Sequence, residues 1–447
     1  MTDPTGPRRN GRHIVLIPGF AGFDALGQLE YYSGVTPLFQ HRRGAVLHYF
    51  DNFPTAAVVT RAKRLESYLA KRIARGEIEG SDEVTLVGHS TGGLDIRRLV
   101  WDLHLRTQPI VVDGGATVEP EAILELLRTV VFLSVPHWGT NIADWVRGHS
   151  NWRELAVAEL RTAVSGSQVP GVDRIEQSVA DAAAYLMGSG LLDALRDSLS
   201  EADEHCGKPG PVRTADAHEA ASALELYLRH IASDFSAIDD LASSPPAGTA
   251  SSPAHFNRRD REKELELWEA LRIEVRSYVT LGKRPFRFDS GSEAPLWELS
   301  KPWTWPEIAK DSVLSTGTDI VYRTCYRACA GGPFGPPPWR AKLTRSLGFS
   351  SQPEIELWDN DGIVNTASML WRSGENVLVP ADHMDIVGHY RFVKAAPGSG
   401  RRYQTYDLLG SASGFDDERF RAIWSEIFDS VTEPDLTRAA PAPPSFV

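Results

Sequence analysis

Short apolar runs alternate with helical periodicity along the first part of the chain. His13 to Ile17 reads H-I-V-L-I, a continuous apolar run suited to a strand covered on both faces of a parallel sheet. Val46 to Phe50 reads as a second strand. Thr55 to Arg75 then places Ala57, Val58, Ala62, Leu65, Leu69 and Ile73 at helical spacing. Val84 to Val87 is a third apolar run, followed by helical spacing from Leu94 to Leu105. Ala122 to Leu127 continues as helix and Thr129 to Val135 as strand. Further on, Glu274 to Leu281 alternates cleanly and Asn376 to Val379 is a short apolar strand. Strands alternating with helices predict an α/β fold, a mostly parallel sheet with helices on both faces.

Between these strands the pattern changes. Trp152 to Val164, Val172 to Met187, Leu191 to Leu199, Ala215 to Ala232 and Arg261 to Leu271 read as helices, broken by polar Gly/Pro-rich stretches such as Ser243 to Pro253. A helical block inserted between strands of one sheet reads as a cap or lid. Lys283 to Pro353 is rich in Trp, Pro and Gly and shows little periodicity, which predicts an extended loop packed by its aromatics. The expected organisation is a first core half at 1–149, a mainly helical cap at 150–270, a second core half at 271–432 and a disordered Pro/Ala-rich tail at 433–447.

Composition narrows the class. The 447 residues are 42% apolar and carry a net charge of −12, so a nucleic-acid partner is not expected. The basic pairs Arg8-Arg9, Arg42-Arg43 and Arg401-Arg402 read as solvated surface. Three cysteines (Cys206, Cys325, Cys329) form no disulfide framework and are expected to be reduced structural thiols. Met1 to Arg12 lacks an apolar leader core and no run is long enough to span a bilayer. The expected location is cytoplasmic, or secreted if a leader was removed before residue 1.

Candidate chemistry centres on Gly88-His89-Ser90-Thr91-Gly92. This G-x-S-x-G follows a strand and opens a helix, the setting of a nucleophile elbow. Glycines at 88 and 92 let strand and helix pack closely, and the helix N-terminus adds partial positive charge where an oxyanion would form. An incidental serine in a glycine-rich turn would look the same, so the partners decide. A serine needs a base, and the base an orienting carboxylate. The late histidines are His383, at a strand exit, and His389, read as structural. Among late acids Asp361 precedes a glycine in a turn, whereas its rival Asp359 does not. The loop Pro18 to Gly22 would give one oxyanion donor, the N–H of Phe20, and the N–H of Thr91 would give the other. His137 reads as a loop histidine holding backbone together.

The segments I-P-G-F-A-G (17–22), G-H-S-T-G-G (88–93), V-P-H-W-G-T (135–140), N-D-G-I-V-N-T-A-S-M (360–369) and D-H-M-D-I-V-G (382–388) resemble bacterial lipases of the α/β-hydrolase superfamily, in particular the thermoalkalophilic and staphylococcal group. The resemblance implies a triad of Ser90, Asp361 and His383 with Phe20 and Thr91 on the oxyanion hole. It implies a serine carboxylester hydrolase acting on a small-molecule or lipid ester, with a lipid interface as a further partner. Polyester or lactone hydrolysis and acyl transfer would use the same triad, and a non-catalytic lipid- or partner-binding protein could share the scaffold. The family's zinc-binding histidine insertion has no counterpart in Asp51 to Asp82. Asp385 matches the first acidic position of the family's calcium site, but Tyr390 stands where the second acid belongs. No zinc is therefore expected, the chemistry itself needs no cofactor, and calcium at Asp385 stays as an alternative.

Overall fold

The computed structural model describes residues 11–22, 25–26, 29–40, 42–148, 230–231, 234–243, 261–284, 317–330, 341–351, 353–391 and 407–434. The strands β1 (Arg12–Ile17), β2 (Ala45–Tyr49), β3 (Glu83–His89), β4 (Leu127–Leu133), β5 (Glu274–Leu281), β6 (Arg345–Ser346) and β7 (Glu375–Pro380) form one seven-stranded sheet in the order β6-β7-β5-β4-β3-β1-β2. Every pairing in it is parallel. A parallel sheet is covered on both faces, which is why β1 carries no alternation: His13 and all four apolar residues to Ile17 are buried.

Among the described residues the α-helices are α1 (Val58–Ala74), α2 (Thr91–Leu105), α3 (Pro120–Leu126), α4 (Asn141–Arg147), α5 (Arg261–Leu271), α6 (Gly317–Ala330) and α7 (Asp417–Asp429), with further short ones at Val35–Phe39 and Ala237–Leu241. α1 buries the stripe Val58, Ala62, Leu65 and Leu69 against α2. α7 buries Phe420, Ile423, Trp424, Ile427 and Phe428, and the Asp416 carboxylate caps its start by accepting the Arg419 N–H at 2.9 Å. With this strand order and the elbow after β3, the chain has the α/β-hydrolase fold.

Topology locates the site. From β1 the chain steps to β2 on one side, then returns to β3 on the other side and continues outward. β1 and β3 therefore flank the switch point, and ligands of open parallel sheets bind outside the carboxyl ends of the strands there. The register brings those ends level: Ile17 lies opposite Gly88, and His89 opposite Leu133.

Three expectations change. Lys283 to Pro353 is not wholly extended, since it contains α6. Tyr322, Cys325, Tyr326 and Cys329 form a buried stripe along that helix at spacings of three, one and three residues, a helical signal masked by the surrounding Trp, Pro and Gly. Neither Cys325 nor Cys329 is joined in a disulfide. The tail is not structureless from its first residue: Glu433–Pro434 pairs antiparallel with Arg42–Arg43. Arg42 is accordingly no solvated surface residue, because it is mostly buried and paired with Asp429. The expected cap helices between Trp152 and Ala232, Cys206, the remainder of the tail and the other two basic pairs lie outside the described residues, apart from 230–231 at the end of the last cap helix. Of the cap region, Ala237–Leu241 and α5 are also described.

Candidate active site

Ser90 caps the start of α2 with φ 52° and ψ −127°, a conformation that L-residues rarely adopt and that is stored at functional turns. The turn is that sharp because glycines let backbones meet. A Cβ on Gly92 would lie 2.4 Å from the Ile17 carbonyl oxygen, and one on Gly88 2.7 Å from the Gly93 nitrogen. Ser90 is 5% exposed.

The loop after β1 runs directly against it. A Cβ on Gly19 would come within 2.7 Å of the Ser90 Cβ. Among the described residues the N–H groups of Phe20 and Thr91 donate to no protein acceptor. Arg61, fully buried on α1, holds this loop from behind. Its Nη2 donates to the carbonyls of Pro18 (2.8 Å) and Gly19 (3.2 Å), its Nη1 to Phe53 and Pro54, and its Nε to Asp95. In a trans peptide C=O and N–H point opposite ways, so turning the Gly19 carbonyl toward Arg61 turns the Phe20 N–H away from it. Burial pushes Asp95 up to about 6 against the pull of the Arg61 guanidinium.

At the other side of the elbow, His383 Nδ1 lies 2.7 Å from Asp361 Oδ2. The backbone joins the same residues, since the His383 N–H donates to the Asp361 carbonyl at 3.0 Å. Asp361 Oδ1 also accepts from the N–H groups of Ile363 and Val364, and Oδ2 from the Thr280 hydroxyl at 2.7 Å. Because a carboxylate only accepts, Nδ1 of His383 carries the proton in this pair and Nε2 is left as the acceptor. No hydrogen bond joins Ser90 to His383; Ser90 Oγ has no hydrogen-bond partner among the described residues. The neighbouring His89 makes the connection instead. Its ring contacts the His383 ring at 4.6 Å between centroids, and its Nε2 donates to the His383 carbonyl at 2.9 Å. Hydrogen bonds to a nucleophile are often long or unformed in ligand-free structures.

The structure thus brings Asp361 and His383 together and sets the elbow and the Phe20 loop beside each other. The rival Asp359 is turned elsewhere, into a two-pronged ion pair with Arg284 at 2.8 Å on each arm. His389 donates from Nε2 to the Tyr31 carbonyl at 3.0 Å. His137 is enclosed between Phe132 and Trp371, and burial beside Arg97 holds its imidazole well below the usual histidine range. Both are structural positions. α6 also bears on the site, for the side-chain amides of Asn360 and Asn365 donate to the carbonyls of Tyr326 and Cys329. Sequence reasoning missed Arg61, Thr280 and Tyr31. Thr280 had a usable signal, lying one residue from the carboxyl end of an alternating strand; the other two had none.

The acids around the expected calcium position are engaged in hydrogen bonds within the chain. Asp385 Oδ2 accepts the Asp382 N–H (2.8 Å) and the Ser413 hydroxyl (2.7 Å). Asp382 is likewise met by the N–H groups of Met384 and Asp385 and by the Ser411 hydroxyl. Tyr390 donates to Asp417. Among the described residues no three His, Cys, Asp or Glu side chains converge as a metal set, and no helix is long and apolar enough to cross a membrane.

No protein-family model matches the chain. A triacylglycerol lipase of Vibrio cholerae is 30% identical over 135 residues, 30% of this chain and 36% of that protein. The match thus spans little more than a third of the relative's length. Among solved structures, the chain is similar to EstA from Clostridium botulinum (16% identity, TM-score 0.38, 91% of this chain and 87% of that one). It is also similar to lipase 1 from Pelosinus fermentans (15% identity, TM-score 0.39, 94% and 99%). This chain's own strand order and elbow define its α/β-hydrolase fold.

Proposed function

We propose that the chain is a serine carboxylester hydrolase of the lipase and esterase kind, built along the lines of the staphylococcal and thermoalkalophilic lipases. The observation that carries this reading is the 2.7 Å bond from His383 to Asp361 at the switch point that also holds Ser90 on its strained turn. The partial match to a triacylglycerol lipase supports an ester substrate.

Asp361 fixes the His383 tautomer, so Nε2 takes the Ser90 proton as Oγ attacks the ester carbonyl. The tetrahedral oxyanion is met by the N–H groups of Phe20 and Thr91 and by the amino end of α2. His383 then gives its proton to the leaving alcohol oxygen. A water, deprotonated by the same Nε2, releases the acid from the acyl-enzyme and restores Ser90. Side chains and backbone N–H groups of this chain carry every step.

A fluorophosphonate probe tests the reading directly. The full chain is expected to be labelled at Ser90, with labelling and p-nitrophenyl ester hydrolysis both lost in Ser90→Ala. Graded acyl lengths, with and without a detergent interface, then separate esterase from lipase. A chain inert to the probe and to every ester would overturn the proposal.

A further inference from the structure

Tyr31 lies outside every motif, yet its hydroxyl sits where the oxyanion loop and the elbow meet. The Gly19 N–H donates to Tyr31 Oη at 2.9 Å, and the same oxygen lies 2.6 Å from His89 Nδ1. His89 in turn reaches the His383 carbonyl through Nε2 at 2.9 Å. The direction of each bond follows from proton counting. A carbonyl only accepts, so Nε2 of His89 carries the hydrogen. Burial, with His383 nearby, holds His89 well below the usual histidine range, so it is neutral and its Nδ1 is bare. The hydrogen in the Tyr31–His89 bond is therefore the phenol's, and burial keeps that phenol protonated. One chain of donors runs from the Gly19 N–H through Tyr31 and His89 to the backbone of His383.

Tyr31 is held from its other end as well. Its carbonyl accepts from Nε2 of His389, and Gly388 approaches Ser33 so closely that a Cβ there would lie 2.0 Å from the Ser33 carbonyl oxygen. The segment around Tyr31 is thus fixed to the same 383–389 loop that carries the base. Arg61 grips the carbonyls of Pro18 and Gly19, and Tyr31 grips the Gly19 N–H from the opposite side. Neutral His89 matters electrostatically too, since a second charge 4.6 Å from the His383 ring would oppose the imidazolium that forms during acylation.

We infer that Tyr31 is a positioning residue that, through His89, locks the oxyanion loop and the general base into one geometry. The inference rests on the ester-hydrolase reading. Its effect falls on the transition state: the Phe20 N–H must meet an oxyanion at the moment His383 receives the proton, and a small misplacement of either costs rate rather than substrate affinity.

The test compares the full chain with Tyr31→Phe, His89→Gln and the double variant on p-nitrophenyl butyrate, alongside fluorophosphonate labelling and thermal melts. Tyr31→Phe is expected to lower kcat between about tenfold and about a hundredfold with KM little changed. His89→Gln breaks the same chain without touching Tyr31 and is expected to show the same loss, and the double variant is expected to lose no more than either alone. A kcat for Tyr31→Phe equal to wild type, a loss confined to KM, or additive losses in the double variant would each overturn the inference while leaving the hydrolase reading intact. A wild-type chain that neither reacts with the probe nor cleaves the ester would overturn that reading and this inference with it.

Discussion

Two imidazole–carboxylate pairs occupy opposite ends of the same sheet. At the amino end of β1, His13 Nδ1 meets His48 Nε2 at 2.9 Å, and His13 Nε2 meets Asp82 Oδ2 at 3.3 Å. At the carboxyl ends, His383 Nδ1 meets Asp361 at 2.7 Å, and Nε2 has no hydrogen bond among the described residues. Both nitrogens of His13 are thus spent on neighbours, while His383 uses only one. Asp82 is also tied to the N–H groups of Gly11 (2.6 Å) and Glu79 (2.8 Å). That pair is a clamp joining the start of β1 and the residue before β3, with His48 of β2 on the other nitrogen of His13. The difference lies in position and unused valence: the carboxyl ends hold the topological switch point and the strained Ser90.

Activity should therefore separate the two pairs completely. His383→Ala is expected to lower kcat/KM on p-nitrophenyl esters by about four orders of magnitude or more, and Asp361→Asn by about four through the wrong tautomer. His13→Ala and Asp82→Asn are expected to leave kcat/KM unchanged and to lower the melting temperature. A large activity loss in Asp82→Asn with a normal melting curve would break the contrast.

How far the site was legible follows from the same logic. Ser90, Asp361 and His383 sit in local patterns, a glycine turn after a strand, an Asp-Gly turn and a strand exit, and each can be read within about ten residues. The parallel core was legible because its strands are continuous apolar runs. Arg61 and Tyr31 were not, for their partners lie at Asp95, Pro18, Gly19 and His89, and no local pattern announces a buried guanidinium facing a loop carbonyl. α6 escaped for a different reason. Its stripe is a good helical signal, but the Pro- and Trp-rich flanks dominated the window, and what the helix does there, holding Asn360 and Asn365 by their amides, is wholly tertiary.

Arg61 sharpens the comparison from the side of stability. Its guanidinium and the Asp95 carboxylate are both fully buried, 2.8 Å apart. Removing one partner of such a pair leaves the other uncompensated, so Arg61→Met is expected to cost about 3–5 kcal/mol, read from the urea midpoint. Unlike Asp82→Asn, it should also lower kcat in the fraction that remains folded, since the Pro18 and Gly19 carbonyls lose the donor that aims the Phe20 N–H. Equal kcat in folded Arg61→Met would mean that the loop holds its shape by its own turn, through the Gly22 N–H on the Gly19 carbonyl at 3.1 Å.

The smallest effect belongs to the clamp itself and appears only with pH. Burial, then the charge of Arg72 and the proximity of His13, lower His48 from 6.5 to about 4. Between those values the unfolded chain binds a proton that the folded chain refuses, so stability rises with pH across the window and is lost as pH falls from 6.5 toward 4. Other groups titrate in the same range, Asp95 among them with the opposite sign, because its carboxyl is raised to about 6. The useful quantity is therefore the difference between the wild type and His48→Gln, in which the shared groups cancel. That difference is expected to shift against the wild type on acidification by less than about 3 kcal/mol, measured by urea unfolding at pH 7.5 and pH 4.5. The ester-hydrolysis rate per folded molecule should follow no such dependence on His48, because its partner His13 stands at the amino end of β1 and Ser90 follows the carboxyl end of β3. A matching shift in the activity profile of His48→Gln would show that the two ends of β1 are coupled after all.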